Sequence, residues 1–509
     1  MKLSPSQIKE FWLHQKKFLG NPLITETPHE LSSNLSYLCK NNLSTAFNVF
    51  QQIELQSIAA LRQYIPAIES FKKHILLALE NNNKIFLVGC GASGRLAMLI
   101  KRIFEEENPQ QNKLLVCVAA AGDISLIRSV EEFEDHTEFG VKQLIAQGYT
   151  NNDLVVGLSA SGESNFILGA IDYAAKNSIH KPYIICNNPI TAIITRNPKH
   201  IAAKKNYINV LSLDVGAMAL TGSTRLQATS AMQIVLALAF KRNKTTIASQ
   251  IDEIYNLLAK IPLEDLSEIT TIEATLLKNK NYILYTTNNR ILGLSLLADT
   301  TERAPTFNLP PFENQNNLPS NNFSHFYLNI QNTHNAADVW QQLFANDPTC
   351  LNWSGFNETT SQYINGFDLS NSSKRYLGSY LPQKQYLSSW QINNKMLQIK
   401  LQDKSYTINL PGDLWHQSLI FKLLLNSYST LMMGRLGFFV GNLMVSLKPS
   451  NYKLIDRAIR YIIFTLKFTH DVDVEYKIVA DILFKELPKL QANESIVLKI
   501  VNLLVNKVT

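Results

Sequence analysis

Gly89, Gly91 and Gly94, in the stretch IFLVGCGASGRLAMLI from Ile85 to Ile100, satisfy the pattern G-x-G-x-x-G. An apolar run, a glycine turn and then a helical pattern make an anion site. Unpaired N–H groups and the positive end of the helix dipole both face the ligand there. The dinucleotide version of this motif also wants an acidic residue about 20 positions on, closing the next strand. Here that strand ends VCVAAAGD, and Asp123 comes later than the pattern asks. A second turn, GLSASGES from Gly157 to Ser164, follows another apolar run and is rich in hydroxyls. Ser93 from the first turn, with Ser159 and Ser161 from the second, would offer O–H donors beside backbone N–H groups. That donor set suits a small phosphate monoester better than a dinucleotide. Serine and glycine also make ordinary turns, so the weight lies in two such turns at matching positions.

The elements that must place these turns follow from the pattern of apolar residues. Up to about residue 80 the spacing of Leu, Ile and Phe at three and four predicts helices. From Ile85 onward, short apolar runs (IFLVG, KLLVCV, DLVVGL, KPYIIC) alternate with helical stretches. This implies a parallel sheet covered on both faces, with the loops at its carboxyl ends converging on one crevice. SLIRSVEEFEDHTEFGVKQLIAQG reads as a single helix ended by Gly148, which would carry Glu131 and Glu134 on an acidic, solvated face. A second strand–turn–helix begins near Asn279 in YILYTTNNRILGLSLLADTTERAPTF, and beyond about residue 418 the pattern is wholly helical. The reading is therefore α/β: two doubly wound parallel-sheet units plus an all-helical C-terminal lid. Its boundaries are a helical segment over 1–45, units over 46–255 and 256–418, and the lid over 419–509.

Composition narrows the function. The 509 residues suffice for about three units of ordinary domain size. A net charge of +7 looks basic, but Lys and Arg are scattered, which argues against a nucleic-acid partner. Five cysteines with no C-x-x-C pairing point to a reduced, cytoplasmic setting. No signal-peptide pattern and no apolar stretch of about 18 residues is present, so no membrane partner is expected. The ten histidines are dispersed and suggest neither a metal nor a cofactor.

Taken together, GCGASGRLAML, AAAGD…VEEFED, GLSASGES, CNNP, TGSTRLQATSAMQ and GNLMV…NYKLIDRA resemble the sugar isomerase (SIS) domain of the N-acetylmuramic acid 6-phosphate etherases. They also resemble the related glucokinase regulatory proteins of animals. Etherases carry one SIS domain and dimerise, whereas the regulators fuse two SIS domains and a helical lid, and this chain's architecture looks like the latter. The resemblance implies a phosphosugar ligand, a fructose phosphate or N-acetylmuramic acid 6-phosphate. It implies binding by Gly91, Ala92, Ser93, Glu131, Glu134, Ser159, Ser161, Glu302 and Lys453. Glu302 would come from the second unit and Lys453 from the lid. It further implies a monomer with an internal pseudo-dimer, and a regulator whose partner is a glucokinase- or hexokinase-like protein. The alternative is an etherase that eliminates lactate through Glu134 and Glu302; a phosphosugar isomerase is a third reading. The sequence also departs from the family. Ala92 lacks a hydroxyl, Ile103 stands where etherases have a glutamate, TTNNR replaces the second glycine turn, and Gln227 replaces a lysine.

Overall fold

The computed structural model describes the chain apart from residues 1–3, 14–21, 131–132, 198–199, 204–205, 243–244, 320–321, 374–380, 448, 450–451, 492–493 and 509. The first sheet is made of β1 (Ile85–Gly89), β2 (Leu115–Ala119), β3 (Leu154–Leu158), β4 (Tyr183–Cys186) and β5 (Asn209–Ser212). They run all parallel in the order β2-β1-β3-β4-β5. Every residue of β1, β3 and β4 is buried, as continuous apolar runs in a sheet covered on both faces require. In this order the chain reverses direction between β1 and β3. Right-handed crossovers then send the two flanking helices to opposite faces and open a crevice at the carboxyl ends of those strands.

The helices preceding and covering this sheet are α1 (Pro5–Leu13), α2 (Leu35–Asn41), α3 (Leu43–Ala60), α4 (Ile65–Glu80), α5 (Ala92–Glu107), α6 (Thr137–Ala146), α7 (Asn165–Asn177), α8 (Ile190–Arg196), α9 (Gln227–Phe240) and α10 (Ile247–Ala259). All fourteen residues of α9 are buried, so it is a core helix without a polar face. The acidic run departs from its expected helix. After β2 the chain forms a 3-10 turn (Asp123–Leu126) and irregular turns, and α6 begins only at Thr137. Glu134 therefore stands on a turn that is tied down by both units, as described below.

The second unit holds α11 (Ser267–Lys278), β6 (Tyr282–Thr287), α12 (Arg290–Phe307), β7 (Phe326–Ile330), α13 (Ala336–Phe344), β8 (Gln385–Asn393), β9 (Met396–Leu401) and β10 (Lys404–Asn409). Its sheet runs β10-β9-β8-β6-β7. β7 and β8 flank β6 in parallel, as in the first unit, but β9 and β10 complete it as an antiparallel meander. The reason is local. Asn394 and Lys395 both take positive φ (49° and 60°), the two-residue turn that folds β9 straight back on β8. One face of β9 is exposed at alternate residues, which a fully parallel, doubly covered sheet would not allow.

Four further helices close the chain: α14 (Leu414–Arg435), α15 (Tyr452–His470), α16 (Tyr476–Glu486) and α17 (Ile496–Val508). α14 is buried along most of its length and packs on α12, α11, α2, α3 and α9, so it joins the two units. α15, α16 and α17 pack on one another, and α1 rests on them through Phe11 against Tyr452 and Phe484. A buried ionic cluster holds the units together. Arg225 donates to Asp299 at 2.7 Å, and Arg303 grips the other Asp299 oxygen at 2.7 and 3.0 Å. Tyr428 donates to Glu273 at 2.6 Å, while Ser429 donates to Asp299 at 2.8 Å. No helix among the described residues is long and apolar enough to cross a membrane.

Candidate phosphosugar site

The three glycines of the first turn have separate jobs. Gly91 adopts φ +56°, a left-handed conformation that L side chains rarely enter. A Cβ on Gly89 would lie 2.6 Å from Gly94 N and Ser93 C, so the end of β1 and the start of α5 touch backbone to backbone. Ala92 and Ser93 occupy the first turn of α5, and Ser93 is buried. In the neighbouring strand Leu158 pairs with Gly89, which brings the two serine-bearing turns side by side on one sheet edge.

The second turn folds on its own hydroxyls. Ser159 Oγ accepts from Gly162 N–H at 3.1 Å, and Ser161 Oγ accepts from Glu163 N–H at 3.2 Å. Each hydroxyl keeps its proton to donate elsewhere. Gly162, at φ +80°, approaches Ile193 so closely that a Cβ would sit 2.5 Å from its Cδ1. Ser164 stands at the N-cap position of α7 but makes no side-chain capping bond, and its hydroxyl is buried without a partner. Sequence reasoning passed over Ser164, although a Ser immediately before an apolar helical run is a readable cap signal.

The loop after β2 links the acidic residues to this edge. The Glu134 carbonyl accepts from Phe166 N–H at 3.1 Å, seating Glu134 beside the start of α7. Its carboxylate also falls within the electrostatic reach of Arg457 on α15. Arg457 in turn holds Glu26 through two hydrogen bonds of 2.9 and 2.6 Å. Thr25 lies over the same edge, its N–H and hydroxyl donating to Asn188 Oδ1 at 3.2 and 3.3 Å. Glu131 lies outside the described residues. Lys453 sits in the first turn of α15, and its side chain is likewise outside them.

Glu302 arrives from the second unit on α12. It is 8 % exposed, and its Oε1 lies 3.6 Å from Nη1 of Arg95. Arg95 belongs to α5, the helix that begins with Ala92 and Ser93, and it also donates to Ser129 Oγ at 3.0 Å. The adjacent Thr301 hydroxyl donates to the carbonyl of Leu126 at 2.8 Å, pinning the acidic loop to the second unit. Burial raises the Glu302 carboxyl above its ordinary range, and Arg95, Arg225 and Lys422 pull it back only in part. Lys422, on α14, donates to Arg225 O at 2.8 Å and Thr229 Oγ1 at 2.7 Å, and burial lowers its ammonium to about 8. Arg95 lies within the first glycine motif but was not singled out, and Lys422 lies in no motif; the packing of α5, α12 and α14 brings both to Glu302.

The family departures have physical outcomes. Ile103 is a fully buried core residue of α5. At the head of α12, Asn289 Oδ1 accepts from Leu292 N–H at 2.9 Å, and Arg290 lies 3.5 Å from Glu106 of α5. A capping side chain and an ion pair thus occupy the place where the first unit has its open glycine turn. Gln227 is fully buried, accepts from Ala219 N–H at 2.9 Å and donates to Glu54 at 2.9 Å.

Residues 68–175 match the family model of the N-terminal SIS domain of glucokinase regulatory protein. The N-acetylmuramic acid 6-phosphate etherase of Enterobacter sp. (strain 638) is 33 % identical over 214 residues, 42 % of this chain and 67 % of that one. The etherase of Staphylococcus epidermidis is 30 % identical over 217 residues, 42 % of this chain and 68 % of that one. Among solved structures, tagatose-6-phosphate ketose/aldose isomerase from Escherichia coli overlaps loosely, at TM-score 0.43 and 10 % identity, covering 84 % of this chain and all of that one. The chain belongs to the family of SIS-domain proteins that includes the N-acetylmuramic acid 6-phosphate etherases and the glucokinase regulatory proteins.

Proposed function

We propose that the chain is a phosphosugar sensor of the glucokinase-regulator type, with one composite site per molecule. In this reading the two serine turns take the phosphate, Glu134 and Glu302 accept hydrogen bonds from sugar hydroxyls, and Lys453 closes over the phosphate from α15. The observation that carries it is the Arg95–Glu302 pair: a carboxylate of the second unit meets the helix that bears Ser93. The capped, ion-paired head of α12 argues that the second unit donates to this site and forms none of its own. Ligand would bias the seating of α15 on the first unit, where Arg457 clasps Glu26, and so change affinity for a sugar-kinase partner. Such coupling requires the phosphosugar to bind the two arrangements unequally.

An etherase reading draws on the same carboxylates. Buried Glu302, its pKa raised, would hold a proton for the departing lactyl oxygen, while Glu134 takes the proton beside the open-chain carbonyl. One assay separates the two. The full chain is incubated with N-acetylmuramic acid 6-phosphate and followed for lactate, with Glu134→Gln as control. The sensor reading expects no turnover together with fructose phosphate binding by calorimetry. Lactate release that disappears in the control would replace it with the enzyme.

A further inference from the structure

Asn187, the residue after β4, is buried with no exposed surface, and neither its Oδ1 nor its Nδ2 has a partner. The other buried asparagines described, Asn188, Asn314, Asn329, Asn426 and Asn442, all bond through their side-chain amides. Leaving a buried amide wholly unpaired is costly, so such groups in folded chains usually mark a missing partner. The position of this one is informative. Its backbone N–H donates to Ala160 O at 3.0 Å, in the middle of the Ser159–Ser161 turn. On the other side, the Cys186 carbonyl accepts from Leu213 N–H at 2.7 Å. Cys186 packs with Leu23 and Ile193, and Asn187 stands in the bend that follows β4, next to the serine turn it bonds. Asn188 is already committed to Thr25 and Ala160. Ser164 and Ser223, on neighbouring loops of the same sheet edge, also carry buried hydroxyls without partners.

We propose that Asn187 determines sugar specificity. Its amide pairs with a group on the sugar ring that both donates and accepts, either an acetamido substituent or a hydroxyl, while the serine turns hold the phosphate. This rests on the phosphosugar reading above. The phosphate turns alone cannot tell one phosphosugar from another; a two-ended amide beside them can.

Calorimetry on the full chain tests it, with wild type, Asn187→Leu and Asn187→Ala titrated with inorganic phosphate, fructose 6-phosphate and N-acetylglucosamine 6-phosphate. Wild type is read first: if it binds neither sugar phosphate, the phosphosugar reading itself fails. If it binds, Asn187→Leu should keep its affinity for inorganic phosphate within about twofold and lose about tenfold or more for a phosphosugar, as expected when a neutral hydrogen bond goes. The loss falls mainly on the acetamido sugar if that substituent is the partner, and on fructose 6-phosphate if a hydroxyl is. Without ligand, the melting temperature of Asn187→Leu should hold or rise, because an unpaired buried amide has been removed. Unchanged phosphosugar affinity, equal loss for phosphate and phosphosugar, or a lowered ligand-free melting temperature would each overturn the proposal. Asn187→Ala gives the same affinity readings if leucine proves too bulky to fold; its melting temperature is not compared, because the cavity it leaves lowers stability by itself.

Discussion

Ser159 and Ser161 each use an acceptor lone pair to shape their turn and keep an O–H to give away. Replacing Ser159 by alanine should therefore weaken phosphosugar binding about tenfold to a hundredfold, the worth of one hydrogen bond to a charged group. Calorimetry with fructose 6-phosphate checks this. Lys422 gives a prediction in pH. Its folded pKa is lowered to about 8 by burial, against about 10.4 in an unfolded chain. Between those values the unfolded chain binds a proton that the folded chain has shed, so stability rises with pH through that window. Denaturant midpoints of wild type should thus gain on those of Lys422→Met as pH climbs from about 8 to about 10, by on the order of 2–3 kcal/mol in all. A flat difference would mean the ammonium is solvated. At this scale the sequence was legible where chemistry and turn-making coincide: Ser93, Ser159 and the glycines announce themselves by type and spacing. Arg95 and Asn187 sit within quoted motifs and Lys422 in none, but no type or spacing marks their side chains, because a charged or amide residue means little until its neighbours from distant segments are known.

The turn between β1 and α5 works because two backbones touch. Gly89→Ala would drive a Cβ into Gly94 N and Ser93 C at 2.6 Å, forcing the head of α5 outward. An overpacked site of this kind should cost about 1–3 kcal/mol in chemical denaturation and abolish phosphosugar binding. Binding that survives would place the ligand elsewhere. Four of the five strands of the first sheet were readable because each is an apolar run between helical stretches; β5, whose four residues NVLS begin with Asn209 and end with Ser212, was not. The stretch between β2 and α6 reads as helix from its helix-forming residues, but Leu126 and Glu134 are held through their carbonyls by partners the sequence does not display, Thr301 and Phe166. In the second unit the β9–β10 meander escaped notice: its short alternating runs end in turns of Asn394–Lys395 and Gln402–Asp403, which lack the glycine that usually signals a hairpin.

Across the whole molecule, the Arg225–Asp299–Arg303 cluster and α14 fix the second unit against the first, and that fixes where Glu302 stands. Asp299→Ala would leave two buried guanidinium groups without their shared carboxylate and should cost about 3–5 kcal/mol, seen as a lower denaturant midpoint. It should also weaken phosphosugar binding, since Glu302 lies one turn along the same helix. The two-unit plan was legible from repeated strand–turn–helix grammar, whereas this interface was not, because its members lie scattered from Arg225 to Ser429. The central claim is a single site to which both units contribute. Titration calorimetry of fructose 6-phosphate and of N-acetylmuramic acid 6-phosphate into the full chain measures this most directly, with Ser159→Ala and Glu302→Gln alongside. One bound phosphosugar per chain, weakened by both substitutions, is the predicted result; two per chain, or binding indifferent to Glu302, would contradict it.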